Sequence, residues 1–177
     1  MMKNLTVLLA FVLFSPITFA QNLNFNEFVK LYKFDNIQVE EFLSNRAWNL
    51  VSSGKIDDDF KQIVFVFKNK QNKELAFLQY DFIPRDSAGT KRITLQIQTK
   101  AQYDTFLNNI KETGATTIAS KVRNDLFEKV YQGRTKTFIV CTHVDRKASN
   151  VNDRNLYRII MVSNEDFDNN LYFNYSD

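Results

Sequence analysis

Apolar and polar residues alternate along this chain in two ways, at the spacing of helices and at the spacing of strands. Helical spacing occurs in residues 26–32, in residues 36–46 and again after Thr99. Asp35 and Gln38 form a variant of the capping box at the start of the second segment. The pattern predicts a small N-terminal helix and two main helices.

The third helical segment carries the clearest end signals. Thr99 and Gln102 are spaced as a capping box, and Gly114 stands where a glycine commonly ends a helix. Apolar residues between them fall at i, i+3, i+4 and i+7, which places them on one helical face. These residues are Tyr103, Phe106, Leu107 and Ile110. We therefore predict a helix that starts after Thr99 and ends just before Gly114.

Eight segments show the spacing of strands, four before the third helix and four after it. The segment KQIVFVFKN is apolar at successive positions, which predicts a central strand that is covered on both faces. The segment RITLQIQT alternates strictly and predicts a strand with one polar face. We therefore predict an α+β fold, with a largely antiparallel sheet of about seven or eight strands and two main helices on one face.

The order of elements is the same in residues 36–98 and 99–163, a helix and then four strands. Residues 42–45 match residues 106–109 at an offset of 64, and RITLQI resembles YRIIMV at an offset near 66. Two hypotheses account for this. The chain contains an internal duplication of a helix-plus-β-meander unit, or two unrelated segments use a unit that is common in antiparallel α+β proteins. Both predict a single domain over residues 21–177.

The first 20 residues have the three parts of an export signal. Lys3 supplies the positive region, residues 5–14 the apolar region, and the sequence Thr-Phe-Ala up to Ala20 a cleavage site before Gln21. The apolar run is shorter than the roughly 20 residues of a membrane-spanning helix. We predict a cleaved signal peptide over residues 1–20 and a periplasmic or secreted product without a stable membrane anchor. Gln21 stands where a lipoprotein carries its lipidated cysteine, so we expect no lipid anchor.

Composition excludes several classes of protein. Removal of residues 1–20, which hold one basic and no acidic residue, lowers the formal net charge from +3 to +2. This near-balance, without a basic run longer than two residues, argues against nucleic-acid binding. Cys141 is the only cysteine, so no disulfide can form within the chain. The sequence also lacks a glycine-rich phosphate loop and the motifs G-x-S-x-G, H-E-x-x-H and C-x-x-C, and it predicts no cofactor and no metal site.

The order of these features is similar to that of small exported α+β proteins of unassigned function from Bacteroidota-type bacteria. The resemblance rests on the export signal, a short helix that ends near Trp48, a β-meander, and a second helix and meander over most of residues 36–163. It implies a secreted or periplasmic α+β domain. It implies no catalytic residue, because no diagnostic motif supports it.

Cys141, His143 and Asp145 alternate along one strand and so point to the same face of the sheet. These residue types form the triad of a thiol hydrolase, and they are also metal ligands. Residues two apart on a strand lie about 6.5–7 Å apart, whereas a nucleophile and its base need about 2.6–3.2 Å. The spacing therefore favours a structural role, with Cys141 buried and His143 partly exposed, over catalysis or metal binding.

Aromatic residues are the remaining candidates for function, since the chain holds 17 Phe, 7 Tyr and 1 Trp. Most of them are expected to fill the core. If the helices cover only one face of the sheet, the surplus would line an open surface suited to a protein partner or an apolar ligand. The candidates in the strands are Phe65, Phe77, Tyr80 and Phe82, and those in the C-terminal tail are Tyr172, Phe173 and Tyr175.

These observations favour a non-catalytic envelope or secreted module that binds a protein or a ligand through an uncovered sheet face. Two alternatives stay open. One is a periplasmic immunity or inhibitor protein, which the small size, the export signal and the lack of catalytic motifs also suit. The other is a small thiol hydrolase that uses Cys141 and His143.

Overall fold

A computed structural model of the chain describes residues 23–57, 60–68, 74–83, 90–123, 126–144 and 155–175. The predicted signal segment, its cleavage site at Ala20 and Gln21, and Asp145 lie outside these residues. No helix in the described ranges is both long enough and apolar enough to cross a membrane.

Three helices pack against one sheet. They are α1 (Phe25–Leu31), α2 (Asn36–Ser44) and α3 (Lys100–Glu112). The capping box predicted at Asp35 is confirmed: its side chain accepts a hydrogen bond from Gln38 N at 2.8 Å, and its N–H donates to Gln38 Oε1 at 3.1 Å. The capping box predicted at Thr99 is wrong. Thr99 is exposed and its side chain makes no capping hydrogen bond.

Eight strands form one antiparallel sheet in the order β1-β2-β3-β4-β8-β7-β6-β5. The strands are β1 (Trp48–Asp57), β2 (Phe60–Lys68), β3 (Glu74–Ile83), β4 (Thr90–Ile97), β5 (Thr116–Arg123), β6 (Leu126–Gln132), β7 (Lys136–Val144) and β8 (Asn155–Ser163). The predicted fold class is therefore confirmed. Two four-strand meanders meet at the central pair of β4 and β8, and β1 and β5 form the two edges.

The main core lies between the helices and one face of the sheet, which we call the inner face. Phe65 and Leu95 of the strands pack in this core with Phe28 of α1 and Phe106 of α3, and all four side chains are almost fully buried. The Phe106 ring meets the Phe28 ring edge-on, with 5.8 Å between the ring centroids. In β4 every second residue is buried, which confirms the prediction of one polar face for RITLQIQT.

The C-terminal segment, residues 164–174, crosses the opposite face of the sheet, which we call the outer face. It consists of three short helical turns, Asn164–Asp166, Phe167–Leu171 and Tyr172–Asn174. Phe167 is fully buried and belongs to a second apolar cluster with four residues of β6, β7 and β8. These are Val130, Ile139, Cys141 and Val162. The tail is thus helical and anchored at Phe167, whereas Tyr172 and Phe173 are exposed.

The two halves share more than the order of their elements. The two meanders can be aligned on each other so that Arg92 in β4 corresponds to Arg158 in β8. When the registers are followed from strand to strand, Val51 in β1 then corresponds to Ile118 in β5. Each of these two residues is the extra residue of a bulge in an edge strand. The same irregularity therefore recurs at equivalent positions of the two meanders.

The helices follow the same equivalence. At the spacing of 67 residues that relates Val51 to Ile118, the buried residues of α2 match the buried residues of α3. Val39 corresponds to Phe106, and Leu43 corresponds to Ile110. The offset of 64 inferred for the helices from sequence is therefore three residues short. Three residues are close to one helical turn, so the apolar pattern fits at either offset.

Candidate binding site on the outer face

The outer face is open over the strands that the C-terminal segment does not cross. A cavity of about 450 Å³ lies there across β2, β3, β4 and β8. It is lined by Val64, Phe77, Gln79, Thr94, Gln96, Arg158 and Ile160. Its volume lies within the range of about 300–1,000 Å³ that is typical of small-molecule sites. The lining combines one aromatic ring, two aliphatic side chains, three uncharged polar side chains and one cation.

A second cavity of about 310 Å³ continues the first toward the C-terminal segment. The two cavities share Thr94 and Ile160. Leu171 and Tyr175 border the second cavity, and the Tyr175 hydroxyl donates a hydrogen bond to Glu128 Oε2 at 3.1 Å. The open half of the outer face is therefore a groove with the C-terminal segment as one wall.

Among the described residues, Arg158 is the only cation that lines the first cavity. It lies opposite Gln96 on one side and Cys141 on the other, and it is half-buried. Within the described residues, Arg158 and Gln96 make no side-chain hydrogen bond and Arg158 makes no ion pair. The guanidinium and the Gln96 amide are thus available to a ligand in the cavity.

Asp81 lines the second cavity and is nearly fully buried. Its carboxylate accepts hydrogen bonds from Gln79 Nε2 at 2.9 Å and from Gln62 Nε2 at 3.1 Å. Burial raises the pKa of Asp81, and the two amides and the nearby Arg92 oppose that shift. The hydrogen-bonding capacity of Asp81 is therefore largely used within the sheet.

Arg92, the counterpart of Arg158, has a carboxylate partner. Its Nε donates to Asp166 Oδ2 at 2.7 Å and its Nη2 donates to Asp166 Oδ1 at 2.9 Å. The Asp166 side chain is only 1% exposed, and its hydrogen bond raises the pKa of Arg92. The bidentate pair fixes the C-terminal segment to β4.

Of the four strand aromatics predicted to line an open face, only Phe77 lies in the cavity. The prediction is wrong for Phe65 and Tyr80, which are fully buried on the inner face beneath the helices. It is also wrong for Phe82, which packs against the main core. Successive residues of a strand point to opposite faces. Gln79, two residues after Phe77, carried the signal that assigns Phe77 to the polar side.

The prediction that β2 is central and covered on both faces is also wrong. β2 is second from the edge, next to β1, and its outer-face residue Val64 lines the open cavity. Val66 is nearly fully buried on that face. Its cross-strand neighbour Phe77 lies directly beside it. A neighbour on the same face of the sheet shields Val66, so an apolar run did not require a covering layer here.

Cys141 lies under the C-terminal segment and is almost fully buried. Burial raises the pKa of its thiol to about 12, and Glu128, whose Oε1 is 3.8 Å from Sγ, adds to the shift. A reactive cysteine needs an accessible thiolate with a lowered pKa, so this environment does not suit a nucleophile. His143 is half-buried on the same strand, and the third predicted residue, Asp145, lies outside the described residues.

Two other features of the described chain bear on its chemistry. Among these residues, no group of three His, Cys, Asp or Glu side chains is placed to hold a metal ion. Lys136 is half-buried on the inner face near Lys91. Partial burial and the charge of Lys91 lower the pKa of Lys136 to about 8. Its Nζ lies 3.1 Å from the centroid of the Tyr32 ring. Lys136 is absent from the lining of both outer-face cavities.

The polar part of the site was missed from the sequence. Thr94, Gln96 and Arg158 sit together because β4 pairs with β8, which follows it by more than 50 residues. The alternation in RITLQIQT marked Thr94 and Gln96 as residues of a polar face. It did not show which strand lies beside them, because strand pairing between distant segments is not a property of local spacing.

Comparison of the chain with models of protein families, with curated proteins and with solved structures finds no match.

Proposed function

We propose that the protein is an exported, non-catalytic binding module, periplasmic or secreted, that binds a ligand or a protein through the open half of its outer face. The observation that carries this proposal is the cavity of about 450 Å³ between Phe77 and Arg158. The chain covers the other half of the same face with its own C-terminal segment. The open half, in contrast, presents Arg158 and Gln96, whose side chains have no partner in the described chain.

Two further observations support a binding role over an enzymatic one. The only thiol is buried and its pKa is raised, which argues against the thiol hydrolase alternative. The sequence motifs of common hydrolases and phosphate-binding enzymes are also missing. An immunity or inhibitor protein would be a special case of the proposed module, with a toxin or an enzyme as its partner.

Photo-cross-linking tests the proposal directly. We replace Phe77 with p-benzoylphenylalanine in the full chain, express it in the host and irradiate the cells. A protein ligand will appear as a discrete adduct on a gel, and a small ligand as a discrete mass increase of the intact protein. The matched control carries the same amino acid at Val122, which is 70% exposed on the edge strand β5.

The proposal requires an adduct at position 77 that is missing at position 122. The adduct must also disappear when Thr94→Arg fills the cavity, in a variant whose circular dichroism and unfolding midpoint match the parent. Identical products at both positions, or an adduct that survives Thr94→Arg, would show that the open half is not a specific binding surface.

A further inference from the structure

The two arginines related by the repeat differ in their partners. Arg92 has Asp166 in a bidentate ion pair and Asp81 nearby. The position that corresponds to Asp81 is occupied by Cys141 beside Arg158. No carboxylate of the described chain pairs with Arg158. The fold therefore presents one guanidinium that is paired and one that is free to pair with an added carboxylate.

The open half also differs from the half that seats a polypeptide segment. Under Phe167 the outer face is apolar, with Ile139, Cys141 and Val162. The corresponding residues of the open half are Gln79, Asp81 and Gln96. An apolar anchor such as Phe167 would bury the Gln96 amide without a hydrogen-bond partner, and it would lie against the Gln79 amide and the Asp81 carboxylate, which pair with each other; burying polar groups in this way is costly. The lining therefore fits a small polar ligand better than it fits a second segment of this kind.

We propose that the open half binds a small carboxylic acid, an inference that rests on the binding function proposed above. The carboxylate pairs with the Arg158 guanidinium, and the Gln96 amide donates a hydrogen bond to it. The ring or short chain of the acid lies against Phe77, Val64 and Ile160. A planar guanidinium matches a carboxylate in geometry and charge.

The volume and position of the cavity agree with this ligand class. A cavity of about 450 Å³ is large enough for a small organic acid. Arg158 is already half-buried, so a ligand that pairs with it removes little further water from the guanidinium. The acid replaces interactions with solvent by charge-assisted hydrogen bonds in a partly enclosed site.

Titration with phenylacetate and with its neutral isostere phenylacetamide tests the charge requirement. The two probes have the same ring and differ in the carboxylate. We monitor the Arg158 Nε–H and the Phe77 ring by NMR in the exported protein as purified. We expect phenylacetate to bind at least about tenfold more tightly, which corresponds to about 1.4 kcal/mol, and to shift both sets of resonances.

Two variants address the role of Arg158. Arg158→Gln removes the charge, and Gln96→Glu places a carboxylate directly opposite Arg158, where it competes with the ligand. Each is expected to weaken phenylacetate binding about tenfold or more. The control Arg134→Gln removes a charge from an exposed turn and should leave binding unchanged. Gln96→Glu retains Arg158, so the test does not depend on the folding of Arg158→Gln.

The outcomes separate this inference from the proposed function. Equal affinity for the two probes, or phenylacetate binding that survives Gln96→Glu, overturns the carboxylate assignment and leaves the binding module intact. The absence of binding by either probe also overturns it. A specific protein adduct at position 77 without any response to phenylacetate would assign the surface to a protein partner. Failure of the cross-linking test itself would remove the proposed function.

Discussion

The two halves of the outer face differ in whether a segment of the described chain covers them. Both are four-strand meanders with a bulge at the same place in the edge strand. In the half formed by β5 to β8, apolar side chains face outward and the C-terminal segment covers them. In the half formed by β1 to β4, Gln62, Gln79 and Gln96 face outward and no segment of the described chain lies over them.

This difference shows that the fold does not itself require a second layer. A sheet face is stable when its outward side chains are compatible with water, and it needs a cover when they are apolar. The covered half therefore supplies stability, through burial of Phe167. The open half can be substituted with little loss of stability, which leaves its side chains available for function. Two comparisons between the halves test this division, and a third tests the repeat that relates them.

The largest effect is expected for Phe167→Ala in the covered half. Phe167 is fully buried, and removal of a buried phenylalanine costs about 3–5 kcal/mol. Phe77→Ala in the open half should cost less than about 1 kcal/mol, because its ring is only half-buried. Urea unfolding of the two variants measures both free energies of unfolding.

The labelling rate of Cys141 provides the second readout for Phe167→Ala. The thiol lies under the C-terminal segment, so detachment of that segment should accelerate labelling at least tenfold. Phe77→Ala should leave the rate unchanged. If the two alanine variants lost equal stability and labelled equally fast, the division between a supporting half and a functional half would be wrong.

A smaller effect is expected for Asp166→Asn, which removes one partner of the bidentate pair. Asp166 is nearly fully buried and Arg92 is partly exposed, so we expect a loss of about 2 kcal/mol in the free energy of unfolding. The free counterpart of Arg92 provides the contrast: Arg158→Gln breaks no ion pair of the described chain and should cost less than about 0.5 kcal/mol.

Glu165→Gln is the control for the charge change, because Glu165 is exposed one residue before Asp166. It should leave the unfolding midpoint unchanged. Thermal unfolding at low and high salt checks the assignment further, since screening weakens exposed pairs far more than buried ones. An Arg158→Gln variant as unstable as Asp166→Asn would mean that Arg158 supports the fold and is not free for a ligand.

The helices and strands could be predicted from the sequence almost completely because they depend on local spacing, whereas the order of the strands in the sheet could not. Alternation and apolar runs located all eight strands to within a few residues, and i, i+3, i+4 spacing located α3. The capping box at Asp35 was correct for the same reason, since both partners lie within one turn. Thr99 has the same spacing to Gln102 but makes no capping bond. Spacing therefore predicts where a helix starts better than which side chain caps it.

The site could be predicted only in part, because it depends on which strands are neighbours. Phe77 was named as a candidate and lies in the cavity, but Phe65 and Tyr80 share the opposite face and are buried. The abundance of aromatic residues does not show which face of β3 is buried, whereas the glutamine two residues after Phe77 marks the polar outer face. Arg158 could not be placed at all, because its position beside Gln96 follows from the pairing of β4 with β8.

The smallest effects are expected in the turns that lead from α2 and α3 into the edge strands. Ala47 has a φ of 59° and Gly114 has a φ of 80°. These two residues are 67 positions apart, as are the two bulge residues of the edge strands, so they correspond to each other in the repeat. Both N–H groups donate to the carbonyl three residues earlier, at 3.1 Å and 2.9 Å. The two turns therefore have the same conformation, but only the second has the residue that adopts it without strain.

Exchanging the two residue types tests that equivalence. Ala47→Gly should raise the free energy of unfolding by about 0.5 kcal/mol, because relief of backbone strain exceeds the added entropy of the unfolded chain. Gly114→Ala should lower it by about 1 kcal/mol from strain alone, since no atom lies within 4 Å of the added Cβ. Gly54→Ala also meets no atom within 4 Å and has no positive φ, so it reports the entropic effect by itself. If Ala47→Gly and Gly114→Ala changed the free energy of unfolding in the same direction, the two turns would not be equivalent. The repeat would then include the strands of the sheet but not these turns.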